Sequence, residues 1–456
     1  MLPFLTLVAL TSSTATVADV STATVSAATV RPEDANSRVD TPGPTYTDVL
    51  LFLPRLVLTP VRYTLALVAW PLRKGLELVE EYRVIEHTID LLYNDARTAG
   101  FFPTVDFFSS QGTTVGGRLF HNDVFGHGES VAVSAKLGGL YAQGYAFDFG
   151  ADRLADTPLW IEGSARWERR PRLYFEGIGN LDTTTSFTGL QDPYVAAVPT
   201  RFAQERVLGR LRLGTTHGPA DGRVKIGTSL FFNHRHFGPA ERLGADERSI
   251  ETVYDTSRIV GFDEGFSLFE VTADLVLDFR NRPGQTSRGF FFEAFAGGVP
   301  EQDGRRFFHW GADLAVFIEV FAATRVLVLH GAVEGVEGER ERIPFTELPR
   351  LGGAGRLRGY QVDHFRGEKA AITSLEYHYP IHQLLRGVLF VDAGRVADSY
   401  GDLFDTYAWR YSAGGGLKIG TEESTWLQID LAYGDGLFLT ISSAPFRSFS
   451  GRTERL

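Results

Sequence analysis

Arg305-Arg306-Phe307-Phe308-His309-Trp310-Gly311-Ala312-Asp313-Leu314-Ala315-Val316-Phe317-Ile318-Glu319-Val320-Phe321 alternates in character from residue to residue. Phe308, Trp310, Ala312, Leu314, Val316, Ile318 and Val320 fall on one face of an extended chain, and His309, Asp313 and Glu319 on the other, the period of a strand. Residues 266–280 repeat the pattern, with Phe269, Val271, Ala273, Leu275, Leu277 and Phe279 against Glu270, Thr272, Asp274, Asp278 and Arg280. A soluble sandwich also alternates, with its apolar side turned inward. Strand length separates the two. These runs exceed the usual soluble length of about 5–6 residues and are long enough to cross a bilayer when tilted.

Reading outward from this stretch, sixteen strands are expected, near 103–109, 113–122, 129–140, 143–151, 157–170, 200–215, 222–237, 266–280, 287–298, 305–321, 324–336, 369–380, 385–396, 407–420, 424–433 and 436–445. Connections after even-numbered strands are short. Those after the fifth, seventh and eleventh are long, about 171–199, 238–265 and 337–368. Long loops on one side and tight turns on the other are the mark of an all-β, transmembrane antiparallel β-barrel. An even count puts both termini on the short-turn, periplasmic side.

Composition agrees. Glycine reaches 49 of 456 residues, above its usual share of about 7%. Mean hydropathy is near zero, −0.07, as expected when only alternate residues meet lipid. A net charge of −11 argues against a nucleic-acid partner, and the absence of cysteine excludes disulfides and thiolate metal sites. Residues 1–28 read as a signal peptide, with an apolar core at Leu2–Leu10 and small residues at Ser26-Ala27-Ala28. Residues 29–101 read as a linker and a short, amphipathic helical segment on the periplasmic side. Helices are expected near 47–70 and 72–94, packed on each other or on the barrel rim, with membrane anchorage the other reading. The barrel is expected over 102–446 and a tail over 447–456.

The last long connection carries Leu351-Gly352-Gly353-Ala354-Gly355-Arg356-Leu357-Arg358-Gly359-Tyr360. A phosphate-binding loop would open a helix, and here a strand follows. Alternation turns Leu375, Tyr377 and Tyr379 of the twelfth strand to lipid and Glu376 inside. In the thirteenth it turns Leu389, Val391 and Ala393 outward and Asp392 inside. Two lumenal carboxylates therefore await a cation, and Arg358 is the natural one.

These residues resemble a known family. Leu357-Arg358-Gly359-Tyr360 is similar to the VRGF/Y motif of the BamA/TamA-type outer-membrane assembly superfamily, also called the bacterial surface antigen family. Phe390-Val391-Asp392-Ala393-Gly394 matches its FxDxG strand and Ser374-Leu375-Glu376-Tyr377 the acidic strand before it. Asp278, Arg280, Pro283 and Gly289 resemble its DxRD-x-P-x-x-G turn. Tyr174-Phe175-Glu176-Gly177-Ile178-Gly179-Asn180 resembles its FYGIGN loop with one residue inserted. The resemblance implies that Arg358 tucks into the lumen against Asp392 and Glu376. It implies no chemical step and no cofactor. It also implies assistance to client outer-membrane or exported proteins as they insert or translocate, in contact with outer-membrane lipid and by opening where the first and last strands meet. The alternative is a passive surface-antigen barrel or small pore without client handling. The family's periplasmic POTRA modules are not expected in residues 29–101, which read as helical, so no POTRA-dependent partner is evident. His234 and His236 share a face, but without a carboxylate at matching spacing no metal is expected. Trp160, Trp167, Trp310, Trp409 and Trp426 are expected in interfacial girdles.

Overall fold

The computed structural model describes residues 51–60, 62–65, 91–109, 111–154, 157–184, 186–218, 224–282, 284–321, 325–420 and 425–442. The expected signal peptide, most of the linker and second helix, Pro283 and the tail 447–456 lie outside the described residues. Within them the strands are β1 (Ala99–Phe108), β2 (Gly112–His121), β3 (Ser130–Gly138), β4 (Tyr141–Ala151), β5 (Leu159–Phe175), β6 (Thr200–His217), β7 (Val224–Pro239), β8 (Phe266–Asp278) and β9 (Gly289–Gln302). They continue as β10 (Arg305–Phe321), β11 (Arg325–Gly338), β12 (Arg350–Leu351), β13 (Phe365–Arg366), β14 (Lys369–His382), β15 (Leu385–Ala397), β16 (Arg410–Gly420), β17 (Thr425–Tyr433) and β18 (Leu437–Ser442).

Sixteen of these close into one antiparallel barrel in which sequence neighbours pair and β18 returns to β1. Closure leaves no sheet edge for lipid to meet, the condition for strands to cross a bilayer. β12 and β13 pair with each other, as a ribbon carried by the loop between β11 and β14. The sixteen expected strands are the sixteen barrel strands, with shifted ends. β1 starts at Ala99, earlier than the expected 103, because Asn94 closes a tight turn there: its side-chain carbonyl accepts from Ala99 N–H at 3.0 Å. β5 runs on to Phe175 across Pro171. The register slips between Arg170 and Leu173, and at such a bulge proline removes no ladder bond.

Alternate apolar side chains point outward and are exposed on all sides of the barrel, among them Leu119, Phe147, Leu213, Phe269, Leu314, Leu375, Val391 and Leu431. The inward positions mix polar side chains with buried apolar ones such as Phe317, Val326, Val328 and Phe390. Two apolar side chains depart from expectation. Val320, expected to meet lipid, is fully buried at the register shift between Glu319 and Phe321, where Arg55 of the helical segment bonds its carbonyl. Trp160, expected in a girdle, is 3% exposed and shares the inward parity of Glu162 and Ser164. Its ring lies 5.4 Å from the Arg212 guanidinium and 5.8 Å from Lys225 Nζ. Trp167 and Trp310 do face outward, and their indole N–H groups donate to Glu205 and Glu337.

The long loops share one end of the barrel and fold into it as a dome. Phe175, Ile178 and Val198 come from the β5–β6 connection and its flank, and Ile250, Val253, Tyr254, Ile259 and Phe262 from the β7–β8 loop. Ile343, Phe345 and Leu348 come from the β11–β14 loop, and all belong to one buried cluster. Phe345 sits at its centre, with ring centroids 5.0 Å from Phe237 and 5.6 Å from Phe202. At the other end the β8–β9 turn reaches across to other turns. Gln285 Nε2 donates to the Gln383 carbonyl at 2.7 Å, and Thr425 Oγ1 donates to the Gly284 carbonyl at 3.0 Å. Residues 52–60 and 62–65 are helical and lie beside the β10 end of this rim, where Arg55 Nε donates to the Val320 carbonyl at 2.6 Å.

A barrel closed by its own ladder unfolds as a unit. The unheated protein in mild detergent is therefore expected to migrate on a gel as a compact species, distinct from the boiled chain. A single band at one position with and without heating would contradict the closed barrel.

Candidate functional site

The β11–β14 loop, residues 339–368, enters the lumen in three steps. Ile343, Phe345 and Leu348 first anchor it in the dome. Glu347 then meets the barrel wall: Asn233 Nδ2 donates to its carboxylate at 2.9 Å, and His309 Nε2 lies 2.9 Å from its carbonyl oxygen. The ribbon β12–β13 carries the chain inward and back. Arg350 pairs with Asp363 at 2.8 Å, and Arg356 pairs with Glu334 of β11.

The tip is Leu357-Arg358-Gly359-Tyr360. Leu357 has φ +60°, a left-handed conformation that costs a non-glycine residue roughly 1–2 kcal/mol. It is offset by burial, since Leu357 is fully buried with Leu351, Phe295, Phe365 and Ile372. Gly394 makes the room. A Cβ there would lie 3.1 Å from Leu351 Cδ1 and 3.6 Å from Leu357 Cδ1.

Arg358 is 1% exposed. Its backbone N–H and Nε donate to Asp392 Oδ2 at 3.1 and 2.8 Å, and Nη2 donates to Asp392 Oδ1 at 2.7 Å. Nη2 also lies 2.8 Å from Glu376 Oε1, and Nη1 lies 3.8 Å from Asp430 Oδ2. The guanidinium carbon stands 3.3 Å over the centre of the Phe390 ring. A planar fork meeting a carboxylate edge-on while stacking on an aromatic face is a task for arginine and not for lysine. The far side of Glu376 is held in turn by His378 Nε2 at 2.8 Å and Lys418 Nζ at 3.5 Å.

Gly359 follows with φ +86°, and a Cβ on it would lie 2.8 Å from both Gly434 N and Tyr433 C. The tip therefore lies directly on the β17–β18 hairpin, where Asp435 N–H donates to the Gly359 carbonyl at 3.0 Å. Tyr360 Oη donates to the Tyr411 carbonyl of β16 at 3.1 Å.

Arg358, Gly359, Tyr360, Glu376, Asp392 and Gly394 thus lie within one cluster. Asp278, Arg280 and Gly289 do not join it. They form the β8–β9 turn at the short-turn end, where Arg280 Nε and Nη2 donate to the Asp278 carboxylate at 2.7 and 2.6 Å. Gly289 there has φ +111°, and a Cβ would lie 2.1 Å from the Phe279 carbonyl oxygen. The Tyr174–Asn180 segment sits on the ribbon. Gly179 N–H donates to the Arg366 carbonyl at 2.6 Å. Glu176, the inserted residue, is buried and accepts from Tyr174 Oη and from Thr183 Oγ1, with His364 Nε2 at 3.2 Å. His234 faces outward and bonds Ser267 Oγ at 2.8 Å.

Sequence reasoning missed Phe390, Lys418 and Asp430. The signal was present, since the parity that turns Asp392 inward also turns Phe390 inward. Leu417 and Ile419 flank Lys418, and Ile429 and Leu431 flank Asp430. Glycines on β16 clear the space: a Cβ on Gly416 would lie 2.0 Å from Asp430 Oδ1, and one on Gly414 would lie 2.6 Å from Phe390 Cζ.

Removing one partner of a buried ion pair strands the other, at a cost of roughly 3–5 kcal/mol. Arg358→Ala and Asp392→Asn are each expected to lower the unfolding midpoint followed by heat-modifiable migration. Their double mutant should lose clearly less than the sum, and additive losses would refute the coupling. Gly359→Ala, strained and crowded, should make the loop tip newly sensitive to protease in the folded barrel. Unchanged protection would show that the close approach to Gly434 is dispensable.

Comparison with known proteins bears on the fold and the family. The pattern described as the Omp85 superfamily domain matches residues 123–434. Among solved structures, the chain is similar to BamA from Haemophilus ducreyi lacking POTRA domains 1–3, at 14% identity and a TM-score of 0.54, covering 76% of this chain and 70% of that one. It is also similar to CdiB from Acinetobacter baumannii, at 13% identity and a TM-score of 0.47, covering 75% and 59%. No curated protein sequence matches. Omp85 barrels are outer-membrane proteins, and the match spans more than half of the chain, the lumenal arginine and its carboxylates included: this protein belongs to the Omp85 superfamily.

Proposed function

We propose that this barrel assists other proteins to insert into or cross the outer membrane by parting at the junction of β1 and β18, with the loop tip held by Arg358 to Asp392 and Glu376. The observation that supports the proposal is how few pairs are described at that junction. β1 pairs with β2 at ten positions and β17 with β18 at six, whereas among the described residues β1 and β18 meet at two, Phe107–Ile441 and Phe108–Thr440. Every other barrel ladder has more described pairs. Parting the two strands there would expose a β1 edge onto which an incoming strand can pair by backbone hydrogen bonds. The chemistry is exchange of ladder bonds, with no bond made or broken in the client.

Both termini are assigned to the periplasmic side, because the even strand count brings them to the short-turn end while the long loops cap the other. A small open pore is the weaker reading. The aromatic dome and the β8–β9 turn stand across the two ends of the lumen, where a pore needs a continuous aqueous path.

The test uses the absence of cysteine from the chain. Reconstituted in liposomes, the protein is expected to accelerate folding of an unrelated outer-membrane barrel. A F107C/I441C pair, joined across the junction, should abolish the acceleration, and reduction should restore it. No acceleration by the native chain, or acceleration indifferent to the crosslink, would favour a passive surface-antigen barrel.

A further inference from the structure

The helical residues 52–60 and 62–65 have their polarity inside out. Leu51, Pro54, Arg55, Leu58, Arg62 and Leu65 are the half-buried positions, which puts both arginines on one face, toward the barrel. Arg55 Nε donates to the Val320 carbonyl at 2.6 Å, and the Arg62 guanidinium lies 5.4 Å from the centre of the Phe321 ring. The opposite face carries Phe52, Leu53, Leu56, Val57 and Tyr63, each 61–68% exposed. No charged side chain lies on that face among the described residues. Its two threonine hydroxyls turn back on the helix: Thr59 Oγ1 donates to the Arg55 carbonyl at 2.6 Å and Thr64 Oγ1 to the Pro60 carbonyl at 3.1 Å.

A helix bathed in water shows its charges to solvent and hides its leucines. This one does the reverse, and its threonine hydroxyls are satisfied by the helix's own carbonyls, which suits them to a surface poor in water. The wall behind it tells the same story. Tyr377, on the outward face with Leu375, is 5% exposed against 46% for Leu375, and Arg62 is close enough to interact with it electrostatically. The exposed helix face therefore continues the apolar outer surface of the barrel. At about 1.5 Å rise per residue the helical stretch is about 20 Å long, short of the roughly 30 Å hydrocarbon core. No described helix is long and apolar enough to cross a membrane.

We propose that this segment is an interfacial helix embedded in the leaflet at the short-turn end, bedded on acyl chains through Phe52, Leu53, Leu56 and Val57 and pinned to the outer wall by Arg55 and Arg62. The bilayer is its partner. Its attachment at the β10–β11 end lies five strands from β18 along the sheet, so it anchors a fixed wall and leaves the β1–β18 junction clear. The inference is independent of client handling.

Single cysteines at L56C and V57C, labelled with bimane in the full chain in liposomes, give the test. V391C, on the lipid-facing wall, and Y407C, 98% exposed in the β15–β16 loop, serve as references. Lipid brominated on its acyl chains is expected to quench L56C and V57C as strongly as V391C. Aqueous iodide should quench them several-fold less than Y407C. Iodide quenching equal to that of Y407C would overturn the proposal by placing the face in water. Shielding from both quenchers would overturn it by showing protein cover. Heat-modifiable migration verifies folding of each labelled variant, and F52C or L53C reads the same face should either not fold.

Discussion

One guanidinium organises the interior. Arg358 is carried into the lumen by a loop whose backbone must find partners away from bulk water, and it arrives where β14, β15 and β17 present carboxylates. The desolvation of a buried arginine is large. It is met by a bidentate pair to Asp392, a second carboxylate on Glu376 and the face of Phe390. Every neighbouring feature follows from that placement. Gly394 admits Leu357, Gly414 admits Phe390, Gly416 admits Asp430, and Gly359 admits the hairpin backbone. The glycine enrichment of the chain is in this region a set of clearances around one cation.

Much of this was legible in the sequence because strand parity is a strict rule with a period of two. Given only Leu389, Val391 and Ala393 as lipid-facing, Asp392 has to point inward, and the same logic reaches Glu376. The strand count and the loop asymmetry follow from alternation and from the turns. Parity is a poor guide to burial at a register shift, as at Val320, and where a lumenal aromatic is taken for an interfacial one. Trp160 has inward parity, but its neighbours Arg212 and Lys225 lie on other strands and could be joined to it only in space.

The dome lay beyond sequence reading for a different reason. Its residues sit in three loops without periodicity, and what unites Phe175, Phe262 and Phe345 is the shape of the space above the barrel. The contribution of Glu176 was obscured in the same way. In the chain it looks like an insertion that spoils a motif. In the fold it is a buried acceptor for Tyr174 and Thr183 and lies beside His364, joining the β5–β6 loop to the ribbon that brings Arg358 inside.

The uneven strength of the ladder gives these attachments a direction. The loop tip is fastened to β14 and β15 through Arg358, to β16 through Tyr360 and to the β17–β18 hairpin through Gly359 and Asp435. It braces the last strands of the sheet as a block, up to but not across the junction with β1. None of these contacts involves β1, which pairs with β2 along its length and, among the described residues, with β18 at Phe107 and Phe108. In the proposed opening, a stress on the barrel would be relieved at the edge of the block that the loop braces. In the proposed mechanism the latch need not move for the wall to open. By keeping β14–β18 in register it would decide which strand swings away.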